Sequence, residues 1–235
     1  MSLANTIIRD GYAVVPDVLA PETIEQLIEA LEISASKDGS LRKGAAVYGA
    51  RNLLRDVPAV RALAVSVAVR SMIQTILGTE AFAVRGLFFD KTPAANWMVD
   101  WHQDRAIAVC EQRDVPGFTR WTVKAGVPHV QPPVTVLEQM LTVRLHLDDT
   151  DNSNGALRVI PGSHRVGIIH ENEINTWTRR DPPATCLVAR GGAMVMRPLL
   201  LHASSKATRP AHRRVLHLEF ASQSLPGGLE WASSN

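Results

Sequence analysis

Cysteine is nearly absent from this chain. Only Cys110 and Cys186 occur among its 235 residues, with neither a CxxC pair nor Cys/His finger spacing. That suggests neither a disulfide framework nor a cysteine-based zinc site, and reduced thiols in a cytoplasm fit best. An excess of one charge is missing too: 25 Lys+Arg against 23 Asp+Glu leave a formal +2, with no dense basic run, so nucleic acid is not an expected partner. No window approaches the roughly 18 apolar residues of a membrane span, and Met1 to Arg9 contains no apolar signal core. A Gly-rich phosphate loop, internal repeats and low-complexity stretches are also lacking. What remains is 46% hydrophobic and 20% charged, the composition of a globular chain able to fill a core, read here as one domain over 1–235.

The hydrophobic pattern changes period along the chain. Gly11 to Pro16 reads as a short strand. Pro21 stands where a first helical residue would be, and Ile24, Leu27, Ile28 and Leu31 follow at helical spacing. A second helical stretch follows Pro58, with Val60, Leu63, Val67, Ile73 and Ile76 apolar, and stops at Gly78. The part up to about residue 80 is therefore expected to be mostly helical. From Phe82 the pattern is strand-like. Leu141, Val143, Leu145 and Leu147 alternate with Thr142, Arg144, His146 and Asp148, the signature of a half-buried strand. Further strands are expected at 157–160, 185–189, 193–197 and 214–220, separated by turn residues at 148–155, Pro161-Gly162-Ser163, Gly191-Gly192 and Pro198. Strands without long intervening helices predict an antiparallel sandwich or barrel. Arg105 to Pro133 has no clear period and reads as an irregular functional loop, with Arg105, Lys124, His129 and Gln131 as candidates for specificity.

In Trp101-His102-Gln103-Asp104, residues i and i+2 of a strand would point an imidazole and a carboxylate to one side, where both could reach one ion. The ordinary alternative is a loop histidine bonded by a nearby acid. His202, in an apolar context about a hundred residues on, is the natural third ligand, with a core histidine bonded to a carbonyl as the alternative. Two histidines and one carboxylate on one face of an octahedral ion leave the other positions open, the arrangement of non-haem Fe(II) oxygenases. A 2-oxo acid co-substrate needs a cation at its far end, and a bidentate guanidinium suits a carboxylate best. Arg213 and Arg214 are neighbours on a strand, so only one can point inward. Thr142, Arg144 and His146 share a polar face that could serve the C1 end of such an acid or the substrate, or could simply be wetted by solvent. Trp97, Trp101 and Trp121 could wall a pocket or pack in the core, and Arg51-Asn52 could reach the site from the helical part. His129, His170, His212 and His217 read as ordinary surface or core histidines.

The order His-x-Asp, then Asn154-Gly155 running into Leu157 and Val159-Ile160-Pro161-Gly162-Ser163-His164, then His202 with Arg213 eleven residues later resembles the phytanoyl-CoA dioxygenase (PhyH) family of Fe(II)/2-oxoglutarate oxygenases. The resemblance runs from Gly11-Tyr12 to Phe220-Ala221. It implies a double-stranded β-helix (jelly roll) over about 81–222 with N-terminal helices packed on one sheet. It also implies iron held by His102, Asp104 and His202, with Arg213 salt-bridging the C5 carboxylate of 2-oxoglutarate. Related halogenases replace the carboxylate ligand with a small residue, whereas this chain keeps Asp104. The Asn154-Gly155 and Pro161 to His164 segments match the family yet read physically as structural turns.

The expected function is hydroxylation of a small-molecule C–H bond with release of succinate and CO₂, using Fe(II), 2-oxoglutarate and O₂. A jelly roll that binds a metal or small ligand without catalysis is one rival, since fold alone decides nothing. A zinc hydrolase using the same ligands is another, weakened by the lack of an evident general-base Glu beside His102. No segment suggests a CoA diphosphate site, so an acyl-CoA substrate is not expected.

Overall fold

Pro21 opens a helix because proline needs no N–H at that position, and Gly78 closes one by giving its N–H to the Gln74 carbonyl at φ 88°. The computed structural model describes residues 2–35, 40–43 and 46–233. Its helices are α1 (Leu3–Asp10), α2 (Pro21–Ala35), α3 (Leu53–Asp56), α4 (Pro58–Ala64), α5 (Val67–Leu77), α6 (Val134–Glu138) and α7 (Ile174–Arg180). The strands of the first half are β1 (Tyr12–Val15), β2 (Ser40–Lys43), β3 (Ala46–Ala50), β4 (Phe82–Lys91), β5 (Val99–His102), β6 (Ile107–Ala108), β7 (Thr119–Lys124) and β8 (Val127–Gln131). Those of the second half are β9 (Met140–His146), β10 (Leu157–Val159), β11 (Ala184–Cys186), β12 (Ala193–Met196), β13 (His202–Ser204) and β14 (Arg213–Ala221).

A seven-stranded sheet in the order β1-β12-β9-β14-β4-β3-β2 faces a four-stranded sheet, β11-β10-β13-β5, and all pairings are antiparallel. This is the jelly roll that the family resemblance implied. The helices α2, α4 and α5 cover the outer face of the large sheet, where Leu27, Leu31, Val60 and Ile73 meet Leu141, Val143, Leu145 and Leu147 in one core. Each such side chain contributes about 1.5–3 kcal/mol by leaving water. Among the described residues no single helix is long and apolar enough to cross a membrane. The pair α4 and α5 is apolar together but bent by 48°, and it packs in this core.

The part up to residue 80 is mostly helical, as expected, with β1 in the stretch expected to be a strand and β2 and β3 added at the opposite edge of the large sheet. Two expectations change. Strand β9 is buried along its whole length rather than half-buried. Its apolar face meets the helices and its polar face looks into the roll, so two-sided coverage, invisible in a period-2 pattern, replaces solvent. Finally, the irregular stretch Arg105 to Pro133 contains a third sheet, β6-β8-β7. Its β7–β8 turn is the two-residue Ala125-Gly126, both at positive φ (49° and 76°), the hairpin geometry usually written Asn-Gly.

Candidate metal centre and cleft

Strands β5 and β13 place His102 and His202 directly opposite one another. Their ring centroids are 4.2 Å apart. Each ring turns Nδ1 to a backbone carbonyl, His102 to Asp100 at 2.8 Å and His202 to Leu200 at 2.8 Å, which directs both Nε2 atoms to a common point. Such second contacts fix the tautomer that a metal requires. Asp104 lies two residues past the end of β5, not on it, and its N–H donates to the Pro198 carbonyl at 2.9 Å. That bond, rather than strand alternation, brings its carboxylate to 3.7 Å from each Nε2. The three ligand atoms lie within 4.8 Å of one another. Gln103, unremarked in the sequence, anchors the turn: its amide nitrogen donates to the Gly167 and Leu199 carbonyls at 2.8 and 2.6 Å, and its oxygen accepts from the Ile169 N–H at 2.8 Å.

The His202 side chain is 4% exposed but those of His102 and Asp104 are 38% and 32% exposed, so the centre is open on one side. Burial pushes the His202 pKa down to about 4. Burial would raise that of Asp104, but His202 and then His102 hold it well below the usual carboxylate range. Burial opposes protonation of His102, yet Asp104 and the Asp100 carbonyl raise its pKa. An anionic carboxylate and a neutral imidazole are the forms that bind metal, so binding of an ion displaces any proton on the His102 ring.

The centre opens into a cleft of about 830 Å³, mouth included, between the two large sheets. Apolar walls come from Leu87, Phe89, Trp97, Val99 and Leu157. The β14 face carries Arg213, His217 and Glu219 inward. Arg213 is 3% exposed and donates to the Gly155 carbonyl at 2.7 Å, while its Nε is buried without a partner among the described residues. Arg214 points the other way, onto Asp148 and Glu32. The register partner of Arg213 on β4 is Lys91, an ammonium 1% exposed that no local pattern in the sequence marks. It donates to Ser204 Oγ at 2.7 Å and to the Ser205 carbonyl. Burial, then Arg213 and Arg144, push its pKa down to about 7.

Of the polar face of β9, Arg144 lines the cleft, its Nη1 2.9 Å from His217 Nδ1 and its Nε unpartnered. Thr142 and His146 face inward but lie behind the wall, with Thr142 Oγ1 and His146 Nε2 buried and unpartnered among the described residues. His217 is not an ordinary core histidine, since it lines the cleft and reaches Glu219 at 3.3 Å as well as Arg144. Glu219 in turn pairs with Arg85 at 3.1 Å. Only the inward side of β14, fixed by pairing with β4 and β9, could have revealed His217 and Lys91.

Of the specificity candidates Arg105, Lys124, His129 and Gln131, only Lys124 lines the cleft. Arg105 faces Glu171 at 3.7 Å and His129 is buried against the Val127 carbonyl. Arg51 does reach the cleft from the helical part, and Trp97 walls it. Trp101 and Trp121 pack elsewhere. Gly155, at φ 79°, is a structural turn whose carbonyl nevertheless supports Arg213. Ser163 accepts from the Leu201 N–H at 2.8 Å and so steadies the approach to His202.

A jelly roll whose cleft ends in two imidazoles and a carboxylate has the architecture of the non-haem iron oxygenase class. Within that class the chain belongs to the phytanoyl-CoA dioxygenase (PhyH) family, whose model matches residues 7–215. The fold is similar to that of EctD from S. alaskensis in its apo form, with TM-score 0.73 and 19% identity over 93% of this chain and 75% of that one. AviO1 from Streptomyces viridochromogenes Tue57 superposes with TM-score 0.68 and 21% identity over 95% of each chain. SnoN, an α-ketoglutarate-dependent epimerase of nogalamycin biosynthesis, does so with TM-score 0.71 and 16% identity over 94% of this chain and 80% of its own. EctD structures also exist with bound Fe, and with 2-oxoglutarate and 5-hydroxyectoine. At these identities the likeness is one of fold. No curated protein matches the chain.

Proposed function

We propose that this chain is an Fe(II)/2-oxoglutarate-dependent dioxygenase that hydroxylates a C–H bond of a small molecule, consuming O₂ and releasing succinate and CO₂. The observation that carries the reading is the convergence of both Nε2 atoms and the Asp104 carboxylate at one open point, in the same cleft as the buried Arg144 and Arg213, each with an Nε that has no partner among the described residues. The donor set fits a ferrous ion. A ferrous ion held there supplies the O₂ activation and redox chemistry that side chains lack, with 2-oxoglutarate providing two electrons as it loses CO₂.

The chain's own residues hold and shield. Arg213 grips the C5 carboxylate of 2-oxoglutarate through the guanidinium face left free beyond Gly155, and Lys91 adds charge at its side. Arg144, which lines the cleft with Arg213 and the triad and acts electrostatically on Arg213 while feeling Asp104, serves the C1 end, and Thr142 on the same strand face supports it. Leu87, Phe89, Val99, Leu157 and Trp97 exclude water from the reacting carbon. SnoN is an epimerase and SnoK, of similar fold, a carbocyclase, so the assay scores epimerised and cyclised products beside the alcohol. The experiment is a stoichiometry: purified chain with Fe(II), 2-oxoglutarate and a metabolite library under ¹⁸O₂. One succinate and one ¹⁸O-labelled alcohol per CO₂ is the expected result. Hydrolysis supported by Zn(II), or no succinate with any compound, contradicts the proposal.

A further inference from the structure

The cleft holds more positive charge than its proposed cofactors use. Five cations line it, Arg51, Arg85, Lys124, Arg144 and Arg213, against two carboxylates, Asp104 and Glu219. An Fe(II) ion with Asp104 and a 2-oxoglutarate dianion would together carry one net negative charge, enough to offset Arg213 alone. Arg85 is matched by Glu219. Arg144 is tied to His217 and, with Arg213, is 7% and 3% exposed on the cleft floor. Arg51 and Lys124 are different. Both are half-buried, both line the cleft, and neither makes a hydrogen bond or ion pair among the described residues.

Their supports are built for proximity. Arg51 precedes Asn52 (φ 59°) and Lys124 precedes Ala125 (φ 49°), two of the four non-glycine residues at positive φ among the described residues. Asn52 Nδ2 donates to the Ala125 carbonyl at 3.3 Å, clamping the two backbones together. A left-handed alanine costs about 1–2 kcal/mol, and strain of this kind persists where the surroundings fix it, often at binding sites. Burial, then Arg85 and Arg51, lower the Lys124 pKa against the pull of Asp104 and Glu219, and burial, then Arg85, lower that of Arg51 against Tyr48 and Glu219. Two half-buried cations on one cleft wall, carried by neighbouring backbones and neither closed into an ion pair among the described residues, make a site for an oxyanion.

We propose that Arg51 and Lys124 bind an anionic group of the substrate, a carboxylate or phosphate, at the cleft mouth and so present its reactive carbon to the open side of the metal centre. This rests on the oxygenase reading and narrows its substrate to an acidic small molecule. Neutral substrates, by this account, are held too loosely to react.

The test uses the whole chain loaded with redox-inert Zn(II) and 2-oxoglutarate, titrated separately with inorganic phosphate and with [¹³C]acetate. Binding is read by ³¹P and ¹³C line broadening. One anion or both should broaden saturably in the wild type, the tighter one naming the group. Affinity should fall at least tenfold in Arg51→Gln/Lys124→Gln and recover in part in Arg51→Lys, with thermal melts confirming folding. Unchanged anion binding in the double variant, with 2-oxoglutarate still bound, overturns this proposal alone. So does equal loss of 2-oxoglutarate, which would assign both cations to the cofactor. A wild type that binds no 2-oxoglutarate overturns the oxygenase reading and this proposal with it.

Discussion

His102 and His202 are register partners on adjacent antiparallel strands, and each ring is held by a carbonyl two residues before it in the chain, Asp100 and Leu200. Residues a hundred positions apart thus become one rigid pair of candidate ligands, their spacing fixed by the hydrogen bonds of the sheet. Only the third ligand depends on a turn.

That turn makes Gln103 a positioning residue. Gln103→Ala would leave the buried Leu199 carbonyl and Ile169 N–H and the half-buried Gly167 carbonyl without their partner, at about 1–3 kcal/mol for each buried group so orphaned. A lower melting temperature is expected, together with metal affinity reduced about 10- to 100-fold, as for other supports behind metal ligands. Calorimetry of the melt and a Mn(II) titration followed by electron paramagnetic resonance measure both.

Arg213 and Arg214 should separate cleanly. Losing a buried charged partner costs about 2 kcal/mol or more, so Arg213→Ala should raise the apparent KM for 2-oxoglutarate at least about 30-fold. Arg214→Ala breaks the exposed-side pairs to Asp148 and Glu32 and should change that KM less than about threefold. Succinate formation against 2-oxoglutarate concentration decides the order, and the reverse order would contradict the facing of β14.

Gly155 tolerates no side chain. A Cβ there would stand 2.6 Å from the Ser205 carbonyl and 2.7 Å from Lys91 Nζ, at a φ of 79°. Gly155→Ala should therefore lower the melting temperature and weaken 2-oxoglutarate binding together, because the same loop carries the carbonyl that supports Arg213. Differential scanning fluorimetry with and without 2-oxoglutarate checks this.

Lys91 links charge to pH. Its pKa falls from an ordinary 10.5 to about 7, chiefly by burial and then by Arg213 and Arg144. Between those values the unfolded chain keeps a proton that the folded one has released, so the ligand-free protein should gain stability as pH rises through that window. A 2-oxoglutarate dianion beside Lys91 favours its charged form, so binding at pH 8 should take up a proton. Titration calorimetry in buffers of different ionisation enthalpy should show that uptake in the wild type and not in Lys91→Met.

How much of this was legible in the sequence follows from which forces act locally. The strict alternation at 141–147 identified a strand, and Pro21, Pro58 and Gly78 marked helix ends, because backbone chemistry at those residues is local. His102, Asp104, His202 and Arg213 could be named because their order along the chain matches a known pattern. Lys91 and His217 could not, since their inward direction is set by the register of β14 against β4 and β9, a long-range pairing. The sheet within Arg105 to Pro133 escaped for a similar reason: β6 is two residues long and gains its identity only by pairing with β8. The strand β9 looked half-buried because periodicity reports that two faces differ, not that the polar one faces the interior of the roll.

The central claim, a ferrous centre chelated by 2-oxoglutarate on His102, Asp104 and His202, is tested most directly by anaerobic addition of Fe(II) and then 2-oxoglutarate to the purified chain. The account predicts a visible charge-transfer band that saturates at one equivalent of each and is absent in His202→Ala. A featureless spectrum in the wild type, or an undiminished band in His202→Ala, would contradict it.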